Sequence, residues 1–280
     1  MPGESQWVMG PLRWAPPLLT AFVLVFAGVT RLGAATLDDA QRLFYTALFQ
    51  ESAAAAKSIT DAEPENLAAW EVRTSALHFQ LRRLLGEPKD RKAAMAKCAE
   101  CRALLATFLE DVNTGRTAAR GRIGKAPDDE EARFFLAKLD LSYLWMQLST
   151  LGKKTGWDEY WEAKRILEAM LEKNPMHVRA RVARAWMDYI VGTRVPWGTR
   201  WVMGGGNKSR GLKMVRDAAQ TPADHYTQVE AQFGLWEMLS RDGRRDEAVG
   251  IAKELLKKFP ENKDLAKFVE TGGRPPERAG

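Results

Sequence analysis

One stretch constrains this chain more than any other: Gln228–Asn262, QVEAQFGLWEMLSRDGRRDEAVGIAKELLKKFPEN. Val229, Phe233, Trp236 and Leu239 recur at helical spacing and make one apolar face. Asp242-Gly243 ends that helix, because glycine takes the left-handed conformation of a C-terminal cap without a steric cost. Asp246 and Glu247 then suit the positive end of a new helix dipole, and Lys257 and Lys258 suit its negative end. Ala248, Ile251, Ala252, Leu255 and Phe259 form the second apolar stripe, and Pro260 stops it. The stretch therefore reads as two antiparallel amphipathic helices joined by a tight turn.

It resembles a tetratricopeptide repeat, a helix–turn–helix unit of about 34 residues. Leu235, Gly243, Ala248 and Pro260 carry the resemblance. Trp236 and Leu255 stand where that motif has small residues, which implies wider packing. The resemblance implies an all-α, right-handed solenoid of antiparallel helix pairs, in which each hairpin covers the apolar face of the one before. It also implies a groove for an extended segment or a helix of another protein.

The remainder of the chain is consistent with that architecture. Leu37–Ala47, Ser52–Thr60, Leu67–Leu85, Asp90–Val112, a helix after Pro127, Trp157–Lys173, Val178–Val191 and Ser209–Ala219 read as helices. Asn113–Lys125, with three glycines and Arg116, Arg120, Arg122 and Lys125, reads as a break. Prolines 64, 127, 175, 222 and 260 each precede a helix, at unequal spacing, as insertions in loops would produce. About five hairpins are expected over residues 36–270, with Asn262–Glu270 as a capping helix and 271–280 as a disordered Pro/Gly/Arg tail.

Residues 1–35 read as a secretory signal. Arg13 precedes the short apolar run Leu18–Val29, and Gly33-Ala34-Ala35 supplies a small-residue cleavage site. That run is shorter than the roughly 20 residues that span a bilayer, so cleavage is expected and an uncleaved anchor is the rival. A periplasmic or secreted protein follows. The +6 formal charge on 280 residues permits anionic partners but does not indicate nucleic acid.

No catalytic arrangement emerges. Cys98-Ala-Glu-Cys101 places two thiols on one helical face, as a buried pair or one disulfide formed after export. It has neither the strand of a redox motif nor a second Cys pair for zinc, and Arg102 stands where haem attachment would need His. Gly204-Gly205-Gly206 with Lys208 and Ser209 lacks the glycine before Lys that a phosphate loop requires, and reads as a connection. His78, His177 and His225 have no carboxylate or Cys at ligand spacing. No metal or cofactor is expected, and no enzyme.

Aromatic enrichment is what remains. Trp145 reads as core. Arg179, Trp186 and Tyr189 lie on a first helix of a pair, and Trp197, Arg200 and Trp201 lie in the Gly/Pro loop that follows. These six are the expected partner-binding residues, since aromatic faces beside guanidinium groups suit an acidic or aromatic segment. The functional expectation is a non-enzymatic interaction scaffold of the cell envelope or periplasm. The alternative is a ligand-binding auxiliary of a periplasmic transport system of the tripartite (TRAP) type.

Overall fold

The computed structural model describes residues 35–86, 88–194 and 205–274. The expected signal segment, the residues Trp197, Arg200 and Trp201, and most of the expected tail lie outside the described residues. The described chain is an all-α solenoid of antiparallel helix pairs, and no strand occurs among the described residues. The pairs are α1 (Leu37–Tyr45) with α2 (Phe49–Ala62), α3 (Leu67–Leu85) with α5 (Ala99–Lys125), α6 (Glu130–Trp145) with α7 (Trp157–Lys173), α8 (Val178–Arg194) with α9 (Lys208–Gln220), and α10 (His225–Arg241) with α11 (Arg245–Lys258). The short α4 (Arg91–Lys97) is inserted in the second pair, and α12 (Lys263–Glu270) caps the array.

One turn, used four times, sets the repeat. Glu63-Pro64-Glu65-Asn66, Ala126-Pro127-Asp128-Asp129, Asn174-Pro175-Met176-His177 and Phe259-Pro260-Glu261-Asn262 each close with a bond from the fourth amide to the first carbonyl, at 2.9–3.1 Å. Proline pre-sets the second position of such a turn. The fourth residue then caps the next helix, its side chain accepting from an amide three residues on: Asn66 from Ala69, Asp129 from Ala132, His177 from Ala180 and Asn262 from Leu265. The helix stop, the turn and the helix start are thus written in four consecutive residues.

Each helix packs on the next, and the first helices also pack on one another: α1 on α3, α3 on α6, and α8 on α10. The layers approach closely where side chains are small. A Cβ on Gly211 of α9 would sit 2.6 Å from the Ala185 carbonyl oxygen of α8, and one on Gly206 would sit 2.2 Å from Val191. The glycine-rich connection therefore lets α9 lie against α8, with Asn207 as its cap.

Three boundaries differ from the sequence reading. Asn113–Lys125 does not break: α5 runs through it to Lys125. Its basic side chains are held by partners on other elements, Arg116 by Asp140 and Glu159, Arg120 by Glu162, and Arg122 by Asp129 and Glu131. Gly115 is buried where a Cβ would meet Trp70 and Leu139 at 3.0 Å, so it marks close packing rather than a loop. The expected helix Asp90–Val112 is interrupted at Cys98. Finally, α6 passes into a π-helical turn, Met146–Thr150, before Gly152.

Candidate ligand chamber

The inner wall is made by the first helices of the pairs. Its lining comes from α1, α3, α6, α8 and α10, with additions from the start of α2, Arg91 of α4, the π-helical turn and α12. None of it comes from α5, α7, α9 or α11.

The two ends of the array meet, so this wall does not form a groove that runs out freely at both ends. The ring of Tyr45, at the end of α1, packs against Phe233, Phe259 and Tyr226 at centroid distances of 5.0, 5.8 and 6.2 Å. Tyr226 donates its hydroxyl to the Asp38 carbonyl at 2.9 Å, and Asn262 donates its side-chain amide to the Tyr45 carbonyl at 2.7 Å. Arg83 of α3 pairs with Asp264 of α12. The inner wall between these contacts bounds a cavity of about 1360 Å³ that stays open to solvent over part of its surface.

Four inner helices each send one charge into it. Glu71 of α3, Lys138 of α6, Arg179 of α8 and Glu230 of α10 form an alternating set. Lys138 lies 2.5 Å from Glu230 and 3.2 Å from Glu71, and Arg179 lies 2.6 Å from Glu230 and 3.6 Å from Glu71. Their side chains are only 13–19% exposed. Burial alone would raise the Glu230 carboxyl, but Arg179 and Lys138 outweigh it and hold it down to about 2. Burial would lower Lys138 and Arg179, yet both are raised, because Glu230 and Glu71 favour their charged forms. The Arg179 guanidinium also lies over the rings of Phe134 and Phe135, at 4.7 and 5.2 Å. The set is neutral as a whole and joins four repeats from the inside.

The C-terminal ends of the inner helices gather at the other end of the chamber. There the π-helical turn presents Ser149 and Thr150, and the Thr150 hydroxyl shares a 2.8 Å hydrogen bond with His78 Nε2. Burial, with Arg82 and Arg241 nearby, pushes His78 down to about 3, so the ring is neutral at pH 7. Arg82 lies over Phe79 and Arg241 over Trp186, and both reach the same oxygen of Glu237. Between the two ends the wall is largely aromatic, with Phe44, Phe79, Trp145, Trp186, Phe233 and Trp236 all lining it.

Three of the six expected binding residues are described. Arg179 and Trp186 line the chamber, seven residues apart on one face of α8. Tyr189 does not: it is 4% exposed and packs in the core between α8 and α9. Trp197, Arg200 and Trp201 lie outside the described residues. Trp145 packs partly against the core and also lines the chamber. Sequence reasoning missed Glu71, Lys138 and Glu230, since a single charge on a helix face reads as solvated. The available signal was their interruption of the apolar stripes that the inner helices otherwise present. Among the described residues no cluster of His, Cys, Asp and Glu is arranged to hold a metal ion, and no helix is long and apolar enough to cross a membrane.

No protein-family model matches the chain, and no curated protein matches it. Among solved structures it is similar to TTC0263, a thermophilic TPR protein of Thermus thermophilus. That similarity has a TM-score of 0.46 and 14% identity, and covers 84% of this chain and 96% of that one.

Proposed function

We propose that this chain is a non-enzymatic binding protein that takes its ligand into the central chamber. The observation that carries this reading is the meeting of α1 with α10 and α12, which bounds the repeat groove at its ends and makes it a partly enclosed chamber. A groove open along its length suits a partner's helix, whereas one bounded at its ends suits a small molecule or a short segment better than a folded partner. Small-molecule sites typically measure roughly 300–1,000 Å³ and are apolar with a few placed polar groups. At about 1360 Å³, with aromatic walls and a paired charge set, the chamber has room for a large organic molecule or a short chain segment. This favours the ligand-binding auxiliary over a scaffold that displays an open groove. A scaffold role stays compatible if a partner inserts a short segment.

The same reading places the protein outside the cytoplasm, in the periplasm or secreted. The signal pattern supports it, and so does the Cys98–Cys101 disulfide, since such bonds persist in oxidising compartments. Cleavage after Ala35 would leave Thr36 as the first residue. Thr36 caps α1, and its backbone nitrogen bonds to Asp39 at 3.0 Å, a contact that a terminal ammonium would strengthen.

Native mass spectrometry of the exported protein tests the binding reading. A retained organic mass or peptide is expected, released on denaturation and diminished in Trp186→Ala. A bare chain that captures a folded partner equally well with Trp186→Ala would sink it.

A further inference from the structure

The junction of α4 and α5 is where composition and structure part most sharply. From Arg91 to Leu105 the chain has no glycine, proline or β-branched residue, and the residues other than the two cysteines are strong helix formers. One continuous helix is expected there. Instead α4 stops at Lys97, Cys98 adopts φ −98° and ψ 97°, and α5 begins at Ala99.

The disulfide between Cys98 and Cys101 accounts for the interruption. Residues three apart on a helix hold their Cβ atoms about 5–6 Å apart. A disulfide needs about 3.5–4.5 Å. Rotating Cys98 out of the helix closes that difference. The interruption strands the first amides of α5 and the last carbonyls of α4. Cys98 Sγ accepts one amide, that of Cys101, at 3.1 Å, and Arg102 donates to the carbonyls of Met95 and Ala96. The bridge is also a poor staple. It spans a sequence separation of 3, so it removes little chain entropy, and α4 has no fully buried residue for it to secure. The two sulfurs are unequal, Cys98 being half-buried and Cys101 wholly buried.

We propose that Cys98–Cys101 is a redox-sensitive site, and that its reduction by a dithiol joins α4 and α5 into one helix. A thiolate of the dithiol attacks Cys98 Sγ, the more accessible sulfur. The Cys98–Cys101 bond breaks, and its electron pair leaves on Cys101 Sγ, which takes up a proton. The second thiolate of the dithiol attacks the mixed disulfide, Cys98 leaves and is protonated, and the dithiol departs as a disulfide. Two electrons and two protons have then reached the protein. Cys98 is free to adopt helical angles, and the stranded amides and carbonyls pair with each other. Arg91 of α4 lines the chamber, so a change in the course of α4 alters that part of the wall. This goes beyond the binding reading, and the readout below stands whether or not the chamber holds a ligand.

Hydrogen–deuterium exchange of the full exported chain tests it, following the amides of residues 99–101 with and without dithiothreitol. Reduction is expected to slow those amides at least tenfold. Cys98→Ala with Cys101→Ala should match the reduced protein. Cys98→Ser with Cys101→Ala should stay close to the oxidised one, since serine is a strong N-cap and preserves the interruption without the bridge. Unchanged exchange at 99–101 on reduction, or faster exchange spread over α4 and the first turns of α5, would overturn the proposal and leave the disulfide as a local staple.

Discussion

Neighbouring hairpins and the two terminal hairpins meet in different ways. Between neighbours the seams are alanine-rich and fully buried: Ala40, Ala56 and Ala69 in the first, Ala137, Ala163 and Ala180 in the middle, and Ala185, Ala218 and Ala231 near the end are all 0% exposed. Where the two ends of the array meet, the contact consists of aromatic rings around Tyr45, two side-chain bonds to backbone carbonyls and one exposed ion pair, from Arg83 of the second hairpin to Asp264 of α12. Small residues allow helix axes to approach and leave no slack, since interiors pack as densely as organic crystals. Rings can separate and meet again without creating a cavity in a core. The stack is therefore the fixed part of the molecule and the closure the adjustable part.

The largest effect should come from the stack. Glu230→Ala leaves Arg179 and Lys138 sharing Glu71 alone, and breaking a buried pair in this way costs about 3–5 kcal/mol. Urea unfolding should show a loss of that size in one cooperative transition. Tyr45→Ala tests the closure. Each aromatic pair contributes about 0.5–1.5 kcal/mol beyond burial, so a loss on the order of 2 kcal/mol is expected. Its signature is local: faster amide exchange in α1, α2 and α12, with α6–α8 unchanged. Uniform acceleration would mean that closure and stack are one unit.

A pH series distinguishes the two by a different route. His78 sits in the stack, with a folded pKa of about 3 against an unfolded value near 6.5. The unfolded chain binds the proton first, so the contribution of neutral His78 is present above pH 6.5 and is lost as pH falls towards 3. Glu230, held down to about 2, adds a loss that begins below its unfolded value, near pH 4.5. Asp140, which burial raises to about 8, contributes in the opposite direction as pH falls, so the His78 part is read as a difference: below pH 6.5, His78→Gln should lose less stability than the parent chain. The smallest effect is expected from Asp264→Asn, which removes an ion pair whose side chains are 50% and 59% exposed. Surface pairs are worth about 0–1 kcal/mol, so the melting temperature should barely move.

Most of the fold was legible because its signals are local. The Pro-x-Asn, Pro-x-Asp and Pro-x-His turns, the caps that follow them and the stripe in α10 and α11 need only adjacent residues to be read. Gly115 was misleading because a helix glycine that admits a neighbour and a loop glycine look alike until Trp70 and Leu139 are placed beside it. Cys98 was misleading for the opposite reason, since every local propensity favours helix and the covalent bridge overrides them. The chamber was the least legible part. Tyr45 and Phe259, or Glu71 and Glu230, lie most of the chain apart, and no periodicity encodes that they meet. That Arg179 and Trp186 share a face could be read from their spacing on α8, but that Glu230 and Glu71 neutralise Arg179 could not be.

Closure also imposes an order on folding. A solenoid grows by contacts between neighbours, each bringing together residues close in sequence, and such contacts form early. The bonds from Tyr226 to Asp38 and from Asn262 to Tyr45 span 188 and 217 positions. They cannot both form until the last hairpin and the cap of α12 have been synthesised. During translation the first hairpin therefore waits with Tyr45 uncovered while four further pairs assemble behind it. A chain ending before α10 would keep its earlier repeats and lose the partners of Tyr45 and Arg83, exposing an aromatic face at its amino-terminal end. The last hairpin and its capping helix thus act as a completeness check, and the molecule shields that face only when they have arrived.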